Sequence, residues 1–132
     1  MTLAAYFEQH DGIGILATCD PDNLVDLAVY SKPVVIDETT VAFVMRQRIS
    51  HKNLRANLNA AYMFIEKGPG YQGKRLYLTM QREETNRTVI EALRKKQPWI
   101  YPAGDDSEKF LVFFTINHIR PLVGDDTSQI KD

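Results

Sequence analysis

The sequence predicts a mainly β fold, a six-stranded antiparallel barrel with helices packed on its outside. Six short segments rich in β-branched and aromatic residues are separated by turn signals, which is the pattern of short strands. Three segments with helical spacing lie among them without regular βαβ alternation, which argues against a parallel sheet. A chain of 132 residues can bury the core of one domain, so we expect a single domain over residues 1–132.

The predicted strands are bounded by turn residues and prolines. The first strand ends at the turn sequence Asp20-Pro21-Asp22-Asn23. Pro33 bends the second strand, because proline cannot donate a ladder hydrogen bond, and Pro121 closes the last strand. The six strands are expected over residues 12–19, 24–31 with a continuation over 34–36, 41–45, 61–65, 75–80 and 110–116.

Apolar residues at helical spacing predict three helices. The first covers residues 2–10, with Thr2 as its N-cap. The second begins at Ser50, whose hydroxyl can cap it, and ends at Asn59. The third covers residues 85–96 and has three basic residues in its last turn, where the helix dipole favours positive charge.

Overall composition indicates no charged partner. Sixteen Lys and Arg residues balance seventeen Asp and Glu residues, so neither nucleic acid nor a membrane surface is an expected partner. The apolar runs of the sequence are far shorter than a membrane-spanning helix. Because Cys19 is the single cysteine, no internal disulfide can form, and we expect a protein of the reducing cytoplasm.

The stretch from Met45 to Arg55 concentrates positive charge at a predicted strand-to-helix junction. The first turn of a helix has unpaired N–H groups and the positive end of the helix dipole, so it favours anions. Strand alternation is expected to place two arginines on one face, and arginine grips phosphate oxygens with paired hydrogen bonds. The candidate phosphate ligands are Arg46, Arg48, Ser50, His51 and Lys52.

Other interpretations of these residues stay open. A solvated charged loop with Ser50 acting only as a helix cap would give the same pattern. The glycines of residues 68–73 do not have the spacing of a Walker or Rossmann loop, so nucleoside triphosphate chemistry is not expected. No histidine has a partner at a recognised metal-ligand spacing, and no metal site is predicted. Loop aromatics such as Tyr71 and Trp99 could stack on a planar ligand or pack as lids over the core.

The order of these parts resembles the FMN-binding split-barrel superfamily, which includes pyridoxamine 5′-phosphate oxidase and small FMN-binding proteins of anaerobic bacteria. The resemblance is strongest to the small FMN-binding proteins. It extends along most of the chain and rests on order and spacing. The segments concerned are the opening helix 3–8, the strands 12–18 and 24–31, the His51-Lys52 pair before a short helix, and Gly68-Pro69-Gly70.

This resemblance implies a cofactor site. The FMN phosphate would lie against the five residues of the basic junction. The isoalloxazine ring would lie along main-chain atoms of the second strand, namely Ala28, Val29, Tyr30 and Ser31. Members of the superfamily are homodimers with cofactor sites at the interface, so the partner chain would supply Tyr71 and Gln72, with Trp99 as a further candidate.

The implied function is an FMN-dependent oxidoreductase or electron-transfer flavoprotein, with the electron donor and acceptor left open. The chain has no C-terminal Arg and His pair of the kind that pyridoxamine phosphate oxidases use for the vitamin phosphate, so that substrate is not expected. The alternative is a non-enzymatic module that binds FMN, haem or another anionic planar ligand. Single-stranded nucleic-acid binding fits less well, because the basic residues are confined to one junction.

Overall fold

A computed structural model describes residues 1–125 of the chain; the last residues of the predicted domain, 126–132, lie outside the described part. A single 3-10 turn, Pro98–Ile100, follows the last helix. The helices are α1 (Leu3–Gln9), α2 (Ile49–Ala56) and α3 (Arg87–Lys96). The strands are β1 (Gly12–Cys19), β2 (Val25–Tyr30), β3 (Val34–Asp37), β4 (Thr40–Met45), β5 (Asn59–Glu66), β6 (Gly73–Glu84) and β7 (Phe110–Pro121).

All described strands belong to one antiparallel sheet in the order β2-β1-β5-β6-β7-β4-β3. The predicted mainly β class with flanking helices is confirmed. The strand number is seven, not six, because residues 34–37 pair with β4 at one edge while β2 pairs with β1 at the other. Pro33 has no N–H to continue the ladder, so the chain leaves one edge there and joins the opposite one.

The main core lies between the sheet and α1. Alternate residues of the strands point into it, and Leu3 and Phe7 of α1 cover it. Aromatic rings meet edge to face there; the rings of Phe7 and Phe64 are 5.2 Å apart at 76°. A smaller cluster under α3 contains Ile90 and Ile100, with the partly buried Trp99 packed against it. This second cluster fixes where the indole of Trp99 lies.

Gly14 allows a close approach that positions the end of β2. A Cβ atom at this position would overlap the hydroxyl of Tyr62 and the carbonyl oxygen of Tyr30. With glycine there, the Tyr62 hydroxyl donates a 3.0 Å hydrogen bond to the carbonyl oxygen of Ser31. Desolvation by burial raises the pKa of Tyr62 above its ordinary value, so this hydroxyl stays a donor at neutral pH.

Helix boundaries agree with the prediction for α1 but not for α2. Thr2 caps α1, and its hydroxyl accepts from the N–H of Ala5 at 3.1 Å. The prediction that Ser50 caps α2 is wrong, because α2 begins at Ile49 and its N-cap residue is Arg48, without a side-chain capping bond. It also ends at Ala56, before the predicted Asn59, which is already paired in β5. Among the described helices none is long and apolar enough to cross a membrane.

Candidate functional site

A cleft of about 450 Å³ lies between the edge strand β2, the N-terminus of α2 and the turn after α3. Its volume falls within the range of small-molecule sites. Eight of the twelve residues predicted for the cofactor line this single cleft: Ala28, Val29, Tyr30, Ser31, Arg46, Arg48, Ser50 and Trp99. Asp26, Leu27, Val44, Ile49, Ile100 and Pro102 complete the lining. The segments that sequence analysis treated separately are therefore neighbours in space.

β2 forms one wall of the cleft over nearly its whole length. Residues 26–31 all line it, and the strand pairs with β1 on one side only among the described residues. In an antiparallel edge strand, every second residue has its N–H and C=O groups turned away from the sheet. The wall thus offers main-chain donors and acceptors to a ligand, irrespective of side-chain identity.

Arg46 and Arg48 reach the cleft through a turn rather than a strand. β4 ends at Met45, and the N–H of Arg48 donates to the carbonyl oxygen of Arg46 at 2.8 Å. The expectation that strand alternation aligns the two arginines is therefore wrong, although both line the same cleft. Their convergence comes from the tight turn that precedes α2.

The guanidinium of Arg46 is bound to the loop before β7. Its Nη2 donates to Asp105 Oδ2, and its Nε donates to Ser107 Oγ at 3.2 Å. The hydroxyl of Ser107 and then Arg46 hold the pKa of Asp105 well below its ordinary value, so this carboxylate is charged at neutral pH. Sequence analysis missed Asp105, because a single acid in a loop gives no signal of a partner so distant along the chain.

The first turn of α2 faces this cleft without a side-chain cap. The N–H groups of Ile49, Ser50 and His51 precede the first intrahelical bond, which runs from Lys52 N to the carbonyl oxygen of Arg48 at 3.0 Å. No Asp or Glu lies in this turn. The turn therefore combines unpaired donors, the positive end of the helix dipole and an adjacent arginine, which suits an anion.

Tyr30 connects β2 to this helix. Tyr30 and the buried Ser50 both line the cleft. Desolvation by burial raises the pKa of Tyr30, while Ser50 and the two arginines of the cleft oppose that shift. The ring of Tyr30 also packs edge to face on Phe43, with the centroids 5.9 Å apart. The last residue of β2 thus lies beside the start of α2, with its ring packed on Phe43.

His51 and Lys52 do not line this cleft. The imidazole of His51 is 2% exposed, its Nε2 lies 2.8 Å from Glu83 Oε1, and its ring stacks on Phe110 at 4.0 Å. Its side chain therefore points into the protein, and only its main-chain N–H belongs to the anion-binding turn. Lys52 is exposed and lines a neighbouring groove that also includes Arg48.

Trp99, which the sequence left as a candidate from the partner chain, lines the cleft of its own chain. Nζ of Lys32 lies 4.6 Å from the centroid of its ring. The indole Nε1 is buried and has no hydrogen-bond partner among the described residues. Trp99 therefore lies beside the end of β2, with its ring fixed by a cation and by the smaller hydrophobic cluster.

Tyr71 and Gln72 lie in the loop between β5 and β6, away from the lining of this cleft. Tyr71 is 79% exposed and has a positive φ of 51°, and Gln72 is also exposed. Their expected contact is with the cofactor bound by a second chain. That assignment stays a prediction.

Comparisons with solved structures support the fold. An FMN-binding protein from Syntrophomonas wolfei superposes with a TM-score of 0.75 at 17% identity, covering 91% of this chain and 83% of that one. HupZ of Group A Streptococcus superposes with a TM-score of 0.75 at 14% identity, covering 98% of this chain and 100% of that one. A putative pyridoxamine 5′-phosphate oxidase from Lactobacillus delbrueckii superposes with a TM-score of 0.67 at 14% identity, covering 91% of this chain and 93% of that one.

At these identities the similarity concerns the fold. No protein-family model matches the sequence, and no curated protein matches it. The chain shares the fold of these solved structures, which is the fold that its resemblance implied.

Proposed function

We propose that this protein binds FMN in the cleft along β2 and acts in flavin-dependent oxidation-reduction or electron transfer. The observation that supports this most is the convergence of the uncapped N-terminus of α2, Arg46 and Arg48 on the cleft bordered by β2. An anion site thus lies at one end of an open strand edge. A planar ring bearing a phosphate tail needs this combination.

In the proposed complex, the phosphate lies at the first turn of α2. Main-chain N–H groups of residues 49–51 donate to it, and Arg48, exposed at the N-cap position, adds charge-assisted hydrogen bonds. Arg46 also lines the cleft and contributes positive charge, although Asp105 offsets part of that charge. Lys52 acts from outside the cleft as a longer-range positive charge.

The isoalloxazine ring lies along residues 28–31 in this proposal. Main-chain donors and acceptors of the β2 edge face its polar atoms, and Trp99 packs beside it. FMN supplies the hydride or electron chemistry when bound. The chain's own groups bind the phosphate, orient the ring and set the polarity around it, and none of the described residues needs to act as an acid or base.

We further propose a homodimer, with the cleft at its interface. Val25, Leu27 and Val29 form an exposed apolar row on β2, and Val25 is 78% exposed. The row continues on the same face of the sheet into Ile15, which pairs with Val29, and then into Met63, which pairs with Ile15. Burial of such a face against a second copy stabilises association, and the partner would then stand beside the cleft. From there its Tyr71 and Gln72 could contact the cofactor.

The proposed compartment is the cytoplasm. Cys19 is partly buried and unpaired, as expected in a reducing environment. Fractionation of the native host, with the protein detected by antibody, tests this directly. Recovery in an oxidising compartment would contradict it.

The function is tested by adding FMN to the purified protein, removing free flavin by desalting, and recording the visible spectrum. We expect about one flavin per chain to remain bound. Arg48→Ala should weaken FMN binding by roughly 10- to 100-fold, as expected for the loss of charge-assisted bonds to phosphate. Lys95→Ala removes a positive charge from exposed helix α3 and should leave binding unchanged. A wild-type protein that retains no flavin would contradict the proposal.

A further inference from the structure

A second groove of about 380 Å³ lies on the solvent side of α2, next to the cleft proposed for FMN. It is lined by Gln47, Arg48, Ile49, His51, Lys52 and Arg55. Arg48 and Ile49 line both the groove and the cleft, so the two are contiguous.

Three cations follow one face of α2. Arg48 at the N-cap, Lys52 and Arg55 are spaced by four and three residues, and all three line the same groove. All three are exposed, whereas the opposite face of α2 is buried through Ser50, Asn53 and Leu54. From Arg48 to Arg55 the row extends about 10 Å, given a rise of about 1.5 Å per residue.

This row has little compensating charge. The sequence contains no acidic residue between Glu38 and Glu66. Among residues 1–125, no carboxylate forms an ion pair with Arg48, Lys52 or Arg55. The carboxylate of Glu83 is bound to the ring of His51, which also lines the groove. By contrast, Arg46 on the cleft side is already paired with Asp105.

We propose that Arg48, Lys52 and Arg55 form a second anion site, which binds a diphosphate group. A single phosphate is shorter than this row of cations, whereas a diphosphate can contact all three at once. The site rests on the proposed function for its ligand class, since it adjoins the cleft proposed for FMN across Ile49. The diphosphate could belong to a nicotinamide dinucleotide bound beside FMN, or to a flavin dinucleotide that occupies cleft and groove together.

The test uses the purified full-length chain loaded with FMN, at low ionic strength because salt screens exposed charges. Inorganic pyrophosphate is titrated by calorimetry against the wild type, Arg55→Gln and Lys95→Gln. Arg55 lies outside the cleft, so its replacement should weaken pyrophosphate binding by roughly five- to tenfold without changing FMN retention. Lys95→Gln removes one positive charge from α3 and should change neither pyrophosphate binding nor FMN retention.

Two further titrations identify the source of the diphosphate. If a nicotinamide dinucleotide is the ligand, it should bind the FMN-loaded protein and lose affinity in Arg55→Gln. If a flavin dinucleotide is the ligand, it should bind the flavin-free protein more tightly than FMN does, and Arg55→Gln should remove that advantage. Either result supports the site.

The site is overturned if pyrophosphate does not bind the wild type at millimolar concentration. It is also overturned if Lys95→Gln weakens binding as much as Arg55→Gln, because the effect would then be one of overall charge. Retention of FMN without pyrophosphate binding would contradict this second anion site but not the proposed function. Pyrophosphate binding by a protein that retains no FMN would contradict the proposed function but not the second anion site.

Discussion

Nη2 of Arg46 donates to Oδ2 of Asp105, a residue 59 positions further along the chain. The same carboxylate accepts from both the hydroxyl and the N–H of Ser107, at 2.7 and 3.0 Å. Lys109 reaches back to the carbonyl oxygens of Asp105 and Ser107. Arg46 therefore joins the cleft to an ordered loop, and the position of its guanidinium depends on that loop.

Asp105→Asn should lower the melting temperature at pH 7 more than at acidic pH. The pKa of Asp105 is depressed in the folded state, so its contribution to stability is fully present above the ordinary value near 3.8 and is lost as pH falls below it. Melting temperatures of wild type and variant should therefore begin to converge below about pH 4 and approach each other further as the pH falls. Asp106→Asn, at an exposed neighbouring position, serves as the control. An equal difference at pH 7 and pH 3 would argue against this role of Asp105.

Gly14→Ala should destabilise the protein by about 1–3 kcal/mol, because the new methyl group overlaps Tyr62 and the carbonyl of Tyr30. Tyr62→Phe keeps the ring and removes only the hydrogen bond to Ser31, so it should cost about 1 kcal/mol. Urea denaturation measures both. A Gly14→Ala variant as stable as the wild type would contradict the close approach of Tyr62 and the Tyr30 carbonyl to Gly14.

Val25→Lys should convert the proposed dimer into monomers, because it places a charge in the exposed apolar row of β2. Val89→Lys, on the exposed side of α3, is the matched control and should leave the assembly unchanged. Light scattering during size-exclusion chromatography gives the mass of each. A wild type that is monomeric at high micromolar concentration would contradict the proposed dimer.

Local patterns in the sequence were sufficient for much of the fold. Alternation of apolar residues and turn chemistry placed the strands, and the Thr2 cap of α1 depends only on residues within one helical turn. The β3 segment was merged with β2, because the change of sheet edge at Pro33 is a long-range choice. Its pairing with β4 follows from the turn at residues 38–39, which brings the two segments together.

The candidate site was predictable where the main chain determines it. The strand edge and the basic helix start belong to short segments, and eight of the predicted residues do share one cleft. Side-chain direction was not predictable in the same way. His51 turns inward because Glu83 and Phe110 offer it a carboxylate and an aromatic face, and both lie more than thirty residues away.

Trp99 is the only tryptophan of the chain, and it lies in the cleft proposed for FMN. No other tryptophan contributes to the emission, which therefore responds to a ligand bound in that cleft. Titration with FMN should quench the emission strongly, because flavin absorbs where tryptophan emits, and the quenching should saturate at one FMN per chain. Emission that declines only in proportion to added flavin, without saturation, would contradict binding of FMN in this cleft.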